Sequence, residues 1–354
     1  MTDLEKLCSR VTEAADCAVI TDDVNRRYFT AMKSSAGTLV VFPEKAYFII
    51  DFRYIEKARK TVKACEVILQ DKLYEQINSL IEKHGAKTVS VNADTCTLSE
   101  LIAYQQKLNA EVIADTKLAE IIREIRTVKS QEQIDKIIKA QRIAEKGFAH
   151  MLDFIKVGRT EKEIQLELDY YMLKNGAEAL SFDTIALSGS NTSLPHGVPS
   201  DKKIESGEFV LMDFGATYDG WHSDMTRTVC VGKPSDKMKS VYETVLTAQL
   251  TALDAVKAGM SGKALDKIAR DIITEAGYGD NFGHSLGHGV GVEIHESPYA
   301  SPSREDILPE NSIVTVEPGI YLEGKFGVRI EDFVVVTENG CINMTKAPKE
   351  LICL

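Results

Sequence analysis

Hydrophobic residues in the first third of the chain come in short runs set between turn residues. Residues 18–21, 38–42, 46–50, 66–69 and 88–91 are rich in β-branched and apolar side chains, the composition of strands. The 38–42 and 46–50 runs flank Pro43-Glu44-Lys45, which predicts a strand pair about a turn. Residues 73–83 and 98–108 place apolar positions at helical spacing. Strands alternating with helices make residues 1–128 an α/β unit. Its charged clusters, Asn25-Arg26-Arg27-Tyr28 and Asp51-Phe52-Arg53-Tyr54, fit structural ion pairs or interface positions better than substrate contacts.

A boundary falls near residues 125–129, and from there the period lengthens. Ser130 and Gln133 form a capping box, with Ile134, Ile137, Ile138, Ala144, Phe148 and Met151 following on one helical face. Thr160 and Glu163 open a second helix that closes at Asn175-Gly176. The chain then repeats itself weakly. Lys156-Val157-Gly158-Arg159-Thr160 recurs as Lys257-Ala258-Gly259-Met260-Ser261, and each copy leads into an amphipathic helix, ending at Gly176 or Gly277. Each copy then passes a histidine, His196 or His295, before an apolar run at 204–210 or 307–314. Residues 129–354 therefore read as two similar halves related by a pseudo-twofold.

Each half ends in a hairpin that carries acids. Residues 210–229, VLMDFGATYDGWHSDMTRTV, turn at Asp219-Gly220, and residues 313–332, IVTVEPGIYLEGKFGVRIED, turn about Gly324. Asp213 and Asp224 sit in the arms of the first, Glu317 and Glu331 in the arms of the second, and the repeat matches Asp213 to Glu317 and Asp224 to Glu331. A single pair of acids in a hairpin fits solvent-facing positions as well as any other. Four at matching places in two apolar hairpins do not, because buried carboxylates repel unless a cation neutralises them.

Composition narrows the partners. A chain of 354 residues can bury two cores. A formal net charge of −11 argues against nucleic acid or an anionic membrane, either of which calls for a basic face. No apolar run reaches membrane length and MTDLEKLCSR carries no signal-type apolar core, so a cytoplasmic protein is expected. The seven cysteines form no C-x-x-C pair and fit reduced thiols.

Histidine completes the picture. Five of the seven (His196, His222, His284, His288 and His295) fall between residues 196 and 295, interleaved with and adjoining the acids. The glycines around His288 let backbone approach closely, but no strand-loop-helix context makes them a nucleotide loop. Four carboxylates balance two divalent ions, and such a pair, roughly 3.5–4 Å apart, activates a bridging water for amide or ester hydrolysis. Oxygen-rich ligands with one imidazole favour manganese, with cobalt or zinc as alternatives.

These residues resemble the pita-bread metallopeptidases, specifically the Xaa-Pro branch of aminopeptidase P and prolidase. The resemblance covers nearly the whole chain: a creatinase/prolidase-type α/β domain over 1–128, then an α+β pita-bread catalytic domain over 129–354. It is strongest between Ser188 and Asp332. It implies metal ligands at Asp213, Asp224, His288, Glu317 and Glu331, with Asp224 and Glu331 bridging the ions. It also implies that His196 and His295 stabilise the tetrahedral intermediate and that Glu317 moves protons. His284, Tyr321 and Arg329 become the proline pocket, while His222 carries no implied role and fits a hydrogen-bonded strand position. None of the five ligand positions departs from the family pattern. The expected activity is an Xaa-Pro aminopeptidase working through a bridging hydroxide on proline-containing peptides, and the expected assembly is a homodimer. The alternatives are an Xaa-Pro dipeptidase and, from another class, a metal-free creatinase-like amidinohydrolase or binding module.

Overall fold

The computed structural model describes residues 1–354, which divide into two compact units, Met1–Arg126 and Thr127–Leu354. The first is built on a six-stranded sheet in the order Glu66–Leu69, Ala46–Ile50, Thr38–Val41, Cys17–Ile20, Thr88–Val91, Glu111–Ile113. The Thr38–Val41 strand is antiparallel to both neighbours, and the remaining joins are parallel. Both faces are covered. Ala18, Ile20, Leu39 and Phe48 pack into one apolar cluster, and Cys17, Val19, Val40 and Tyr47 into another. Burial on both faces explains why the central strands read as unbroken apolar runs.

Two elements of this unit leave little trace in the pattern. Glu111–Ile113 is a three-residue edge strand, too short and too exposed to show alternation. Helix Asp23–Thr30 is polar, and it is held by the Asp22 cap and by Arg26. The buried Arg26 guanidinium donates to the carbonyls of Thr21 (2.6 Å), Gly37 (2.8 Å) and Ser34 (3.0 Å). The other charged cluster contains a surface ion pair, Arg53 to Asp51, at 2.6 Å.

The second unit repeats one plan. Helices Gln131–Phe154 and Glu161–Lys174 in the first half correspond to Asp236–Ala255 and Gly262–Glu275 in the second. The joint between helices is stitched identically. Gly158 and Gly259 take positive φ, +91° and +81°. Their N–H groups donate to Ile204 O and Leu308 O, both at 2.9 Å. Ile204 N–H returns to Arg159 O at 2.8 Å, and Leu308 N–H to Met260 O at 2.9 Å. Each half keeps its own apolar cluster, around Phe148, Leu168 and Met212 in one and Val245, Leu265 and Val334 in the other. No helix is long and apolar enough to cross a membrane.

The acidic hairpins form as the sequence predicts, with one correction. In the first, strand Glu208–Phe214 pairs with Met225–Val231, and the ladder resumes beyond a break as Ala216–Tyr218 with Trp221–His222. Asp219 and Gly220 make the turn with φ of 48° and 82°. In the second, Ile313–Val316 pairs with Asp332–Thr337 and Gly319–Leu322 with Phe326–Arg329, turning at Gly324. The registers differ from the expected match. Asp213 lies opposite Thr226. The two ladders of the second hairpin keep one register, which sets Glu317 opposite Glu331. Glu331 therefore stands at the place of Thr226, not of Asp224. Asp224 sits two residues nearer its turn, facing Gly215, where a Cβ would lie 1.9 Å from Ser223 O.

Candidate metal centre

The breaks in these ladders aim the acids. Asp213 is the penultimate residue of its strand, while Asp224, Glu317 and Glu331 sit in the paired residues between strands, where a side chain can leave the sheet. His288 arrives on the short strand Gly287–Gly289. A Cβ at Gly287 would meet Thr315 O at 2.0 Å, and one at Gly289 would meet Ser297 O at 2.4 Å, so only glycine lets this strand in. All five expected ligands line a single cavity of about 480 Å³, a volume suited to a small ligand.

Hydrogen bonds orient each donor. His288 Nδ1–H donates to Gly289 O at 3.1 Å, which leaves Nε2 directed at Glu317 Oε1 (3.3 Å) and Asp224 Oδ2 (3.6 Å). Asp213 uses Oδ2 to accept from Arg329 at 2.6 Å, and Glu331 uses Oε2 to accept from the Thr226 hydroxyl at 2.7 Å. The second oxygens of these two carboxylates, Asp213 Oδ1 and Glu331 Oε1, are buried with no partner. Ligand atoms of Asp224, His288 and Glu331 lie within 4.8 Å of one another.

The titration behaviour has the same cause. Burial, reinforced by mutual repulsion, pushes the Asp224 and Glu331 carboxyls well above the usual range. Burial also raises Asp213, even with Arg329 beside it. Glu317 goes the other way: burial opposes ionisation, but the hydrogen bond and charge of His288 bring it down to about 2. His288 overcomes its own burial through the same partner and rises to about 9. The cluster holds more negative charge than the protein's own cations balance. Oxygen-rich donors with one imidazole and two partnerless buried oxygens fit divalent cations.

Around this cluster the other expected residues divide. His196 and His295 are exposed on the cavity wall, His295 with its ring 4.3 Å from that of His288. His284 lines the cavity, but both nitrogens are committed: Nδ1–H donates to Ser285 O at 2.8 Å and Nε2 accepts from the Tyr321 hydroxyl at 2.9 Å. Tyr321 is buried and does not line the cavity; its oxygen accepts from Arg329 at 2.7 Å. Arg329 lines the wall yet spends its donors on Asp213, Tyr321 and Thr226. His222 bonds Thr217 across its own hairpin at 3.3 Å.

Three contributors give no clear signal in the sequence. Thr226 links Arg329 to Glu331, and Thr315 ties His288 N–H (3.0 Å) to Glu317 (3.1 Å). The third is the buried pair of Arg227 and Asp332 at 2.7 Å, whose guanidinium also grips Glu331 O and Ala347 O. Their only trace is alternation: Thr226 and Thr228 share a strand face, with Arg227 turned to the other.

Fold and site together define a metal-dependent peptidase of pita-bread architecture. Residues 135–338 match metallopeptidase family M24, and residues 4–128 match the creatinase/prolidase N-terminal domain, so the chain belongs to family M24. It is similar to a solved Xaa-Pro dipeptidase from Bacillus anthracis, 42% identical with 99% of each chain covered and a TM-score of 0.95. An Xaa-Pro dipeptidase of Pyrococcus furiosus is 40% identical over 99% of both. A solved X-Pro aminopeptidase from Thermotoga maritima is 38% identical, covering 96% of this chain and 98% of its own, with a TM-score of 0.90.

Proposed function

We propose that the chain is an Xaa-Pro dipeptidase, hydrolysing the bond between a residue and a following proline in a dipeptide. The aminopeptidase reading needs the same centre, but the dipeptidase relatives at 42% and 40% identity favour the narrower substrate. The observation that carries the metal centre is the pair of buried, partnerless oxygens on Asp213 and Glu331. In this reading Asp213, Asp224, His288, Glu317 and Glu331 hold two divalent cations, manganese first. A cation pair of this kind lowers the pKa of bound water towards neutrality and polarises a carbonyl.

The chain's own residues supply the rest. In this reading His196 and His295, both on the cavity wall, donate imidazole N–H groups to the carbonyl oxygen as it gains charge, each contributing ~3 kcal/mol. Proline nitrogen carries no hydrogen in the peptide, so it must gain a proton as its bond breaks, and Glu317 is the carboxylate assigned to take a proton from the attacking water and pass it to that nitrogen. Phe182, Ile185, Pro195 and Ile294 give the cavity an apolar wall for the pyrrolidine ring. Arg329 and Tyr321 act on Asp213 and His284 rather than on substrate. The test is turnover of Xaa-Pro, Xaa-Pro-Xaa and longer peptides with added manganese. Dipeptides are expected to give the highest kcat/KM; a rise with length moves the assignment to an aminopeptidase, and no metal-dependent turnover of either sinks both.

A further inference from the structure

His196 makes no hydrogen bond of its own and is exposed, so its position is whatever the segment carrying it allows. That segment, residues 188–200, pairs with Val210 at Ser188, and it accepts from Gly327 N–H at the Thr192 hydroxyl (2.8 Å) and from Arg329 at Pro195 O (3.4 Å). One further carboxylate gathers its two ends. Glu161, the first residue of helix Glu161–Lys174, is 1% exposed and forms no ion pair. Its Oε1 accepts from Ser188 N–H (2.7 Å), the Ser188 hydroxyl (3.2 Å) and the Asn191 amide (3.0 Å). Its Oε2 accepts from Ser200 N–H (3.0 Å), the Ser200 hydroxyl (2.6 Å) and again Asn191 (3.2 Å). The donors come from both ends of the segment, with His196 between them. Five donors replace the water that this buried carboxylate gives up, and so satisfy both of its oxygens.

The repeat shows that this carboxylate is not part of the shared scaffold. Glu161 N–H donates to Lys202 O at 3.1 Å, and at the matching joint Gly262 N–H donates to Asp306 O at 2.7 Å. The second half thus keeps the backbone bond with no side chain at all, and a Cβ on Gly262 would lie 1.9 Å from Tyr299 O. The acid at this joint differs between the halves: Glu161 gathers residues 188–200 in one, while in the other Asp306 accepts only from Tyr299 N–H (3.1 Å) and, weakly, from Arg304 (3.4 Å).

We propose that Glu161 is the positioning residue for His196, holding the 188–200 segment so that this imidazole faces the cavity. The inference rests on the role given to His196 in the proposed reaction, and the experiment separates the two. Glu161→Gln and Glu161→Ala are made in the wild-type and His196→Ala backgrounds, with Ser200→Ala as a milder variant that removes one 2.6 Å bond. Measured are kcat and KM on an Xaa-Pro dipeptide, bound manganese, and amide hydrogen exchange. In the wild-type background kcat falls about 10- to 100-fold with manganese unchanged, the scale of losing an outer partner of a catalytic group. In the His196→Ala background no further fall follows. Exchange quickens across 188–200 and not across 287–300. An equal fall in both backgrounds, or unaltered exchange in 188–200 for all three variants, overturns the proposal. Wild-type turnover by His196→Ala alone removes the role of that histidine, and exchange then decides whether Glu161 holds the segment.

Discussion

The two halves of Thr127–Leu354 share a backbone and differ in chemistry. At their helix joints they match bond for bond, Gly158 to Ile204 as Gly259 to Leu308. At their hairpins the same ladder position carries Thr226 in one half and Glu331 in the other, and the next carries Arg227 and Asp332. These counterparts meet: Thr226 donates to Glu331, and Arg227 pairs with Asp332. A duplicated scaffold becomes a binding site when residues at equivalent positions stop being equivalent. One half contributes an acid, and the other contributes the hydroxyl or cation that orients it.

The hardest blow to this division is Glu331→Ala. It removes a carboxylate with one oxygen held by Thr226 and the other buried without a partner. We expect kcat to fall by on the order of 10³, ~4 kcal/mol of barrier, with loss of bound manganese. Steady-state kinetics and metal analysis on the same sample check both, and a variant that keeps its metal and its rate removes Glu331 from the centre.

Adjacent acids in the second half should also titrate in opposite senses. Asp332 is buried, but Arg227 and Lys349 outweigh that and hold its pKa below 3.8. Its contribution is present above pH 3.8 and disappears as pH falls through its folded value. Burial raises both Glu331 and Asp224, reinforced by Asp213 and Glu317 at Asp224 and by Asp224, Glu317 and Asp213 at Glu331. The unfolded chain then loses protons first, so chelated protein should lose stability as pH rises above the ordinary carboxylate range. Manganese at about 100 times its Kd should restore ~2.7 kcal/mol and flatten that upper limb alone. Denaturant titrations with and without chelator read the two limbs between roughly pH 3 and pH 8, a span that covers the usual carboxylate and histidine ranges. An upper limb untouched by manganese breaks the assignment.

Much of this architecture is legible in the order of residues. The glycine turns, the capping boxes at Ser130 and Thr160 and the joint motif are local, and each follows from φ preference or a side chain reaching three residues along. Register is not. Sequence spacing sets Asp213 and Asp224 about a turn, but the pairing register, which is the same on both sides of the break at Gly215, sets Asp213 opposite Thr226 and Asp224 opposite Gly215. Arg329 to Asp213 spans 116 residues, and no periodicity reports such a contact. Glu161 reads only as the acid after an N-cap, because its donors at 188–200 become neighbours only in the folded sheet.

The oriented partner gives a smaller effect than the acid. Thr226→Val keeps the shape of the side chain and removes the hydroxyl between Arg329 Nε (3.1 Å) and Glu331 Oε2. We expect kcat/KM to drop roughly 10- to 100-fold, with manganese affinity weakened but binding still saturable, as for an outer partner of a ligand. If Thr226→Val costs as much as Glu331→Ala, counterpart residues are not divided into ligand and support, and the hydroxyl is itself a ligand.

The smallest effect tests the symmetry itself. Gly158 and Gly259 sit at matched joints with positive φ, and a Cβ at either meets nothing within 4 Å. Alanine there costs backbone strain alone, about 1–2 kcal/mol. Gly158→Ala and Gly259→Ala should therefore lower stability by similar amounts while leaving metal binding intact. Chemical denaturation of the manganese-loaded protein measures both on one scale. Unequal costs would mean that the joints, matched in their hydrogen bonds, are not matched in strain, and that divergence between the halves reaches into the scaffold as well as the acids it presents.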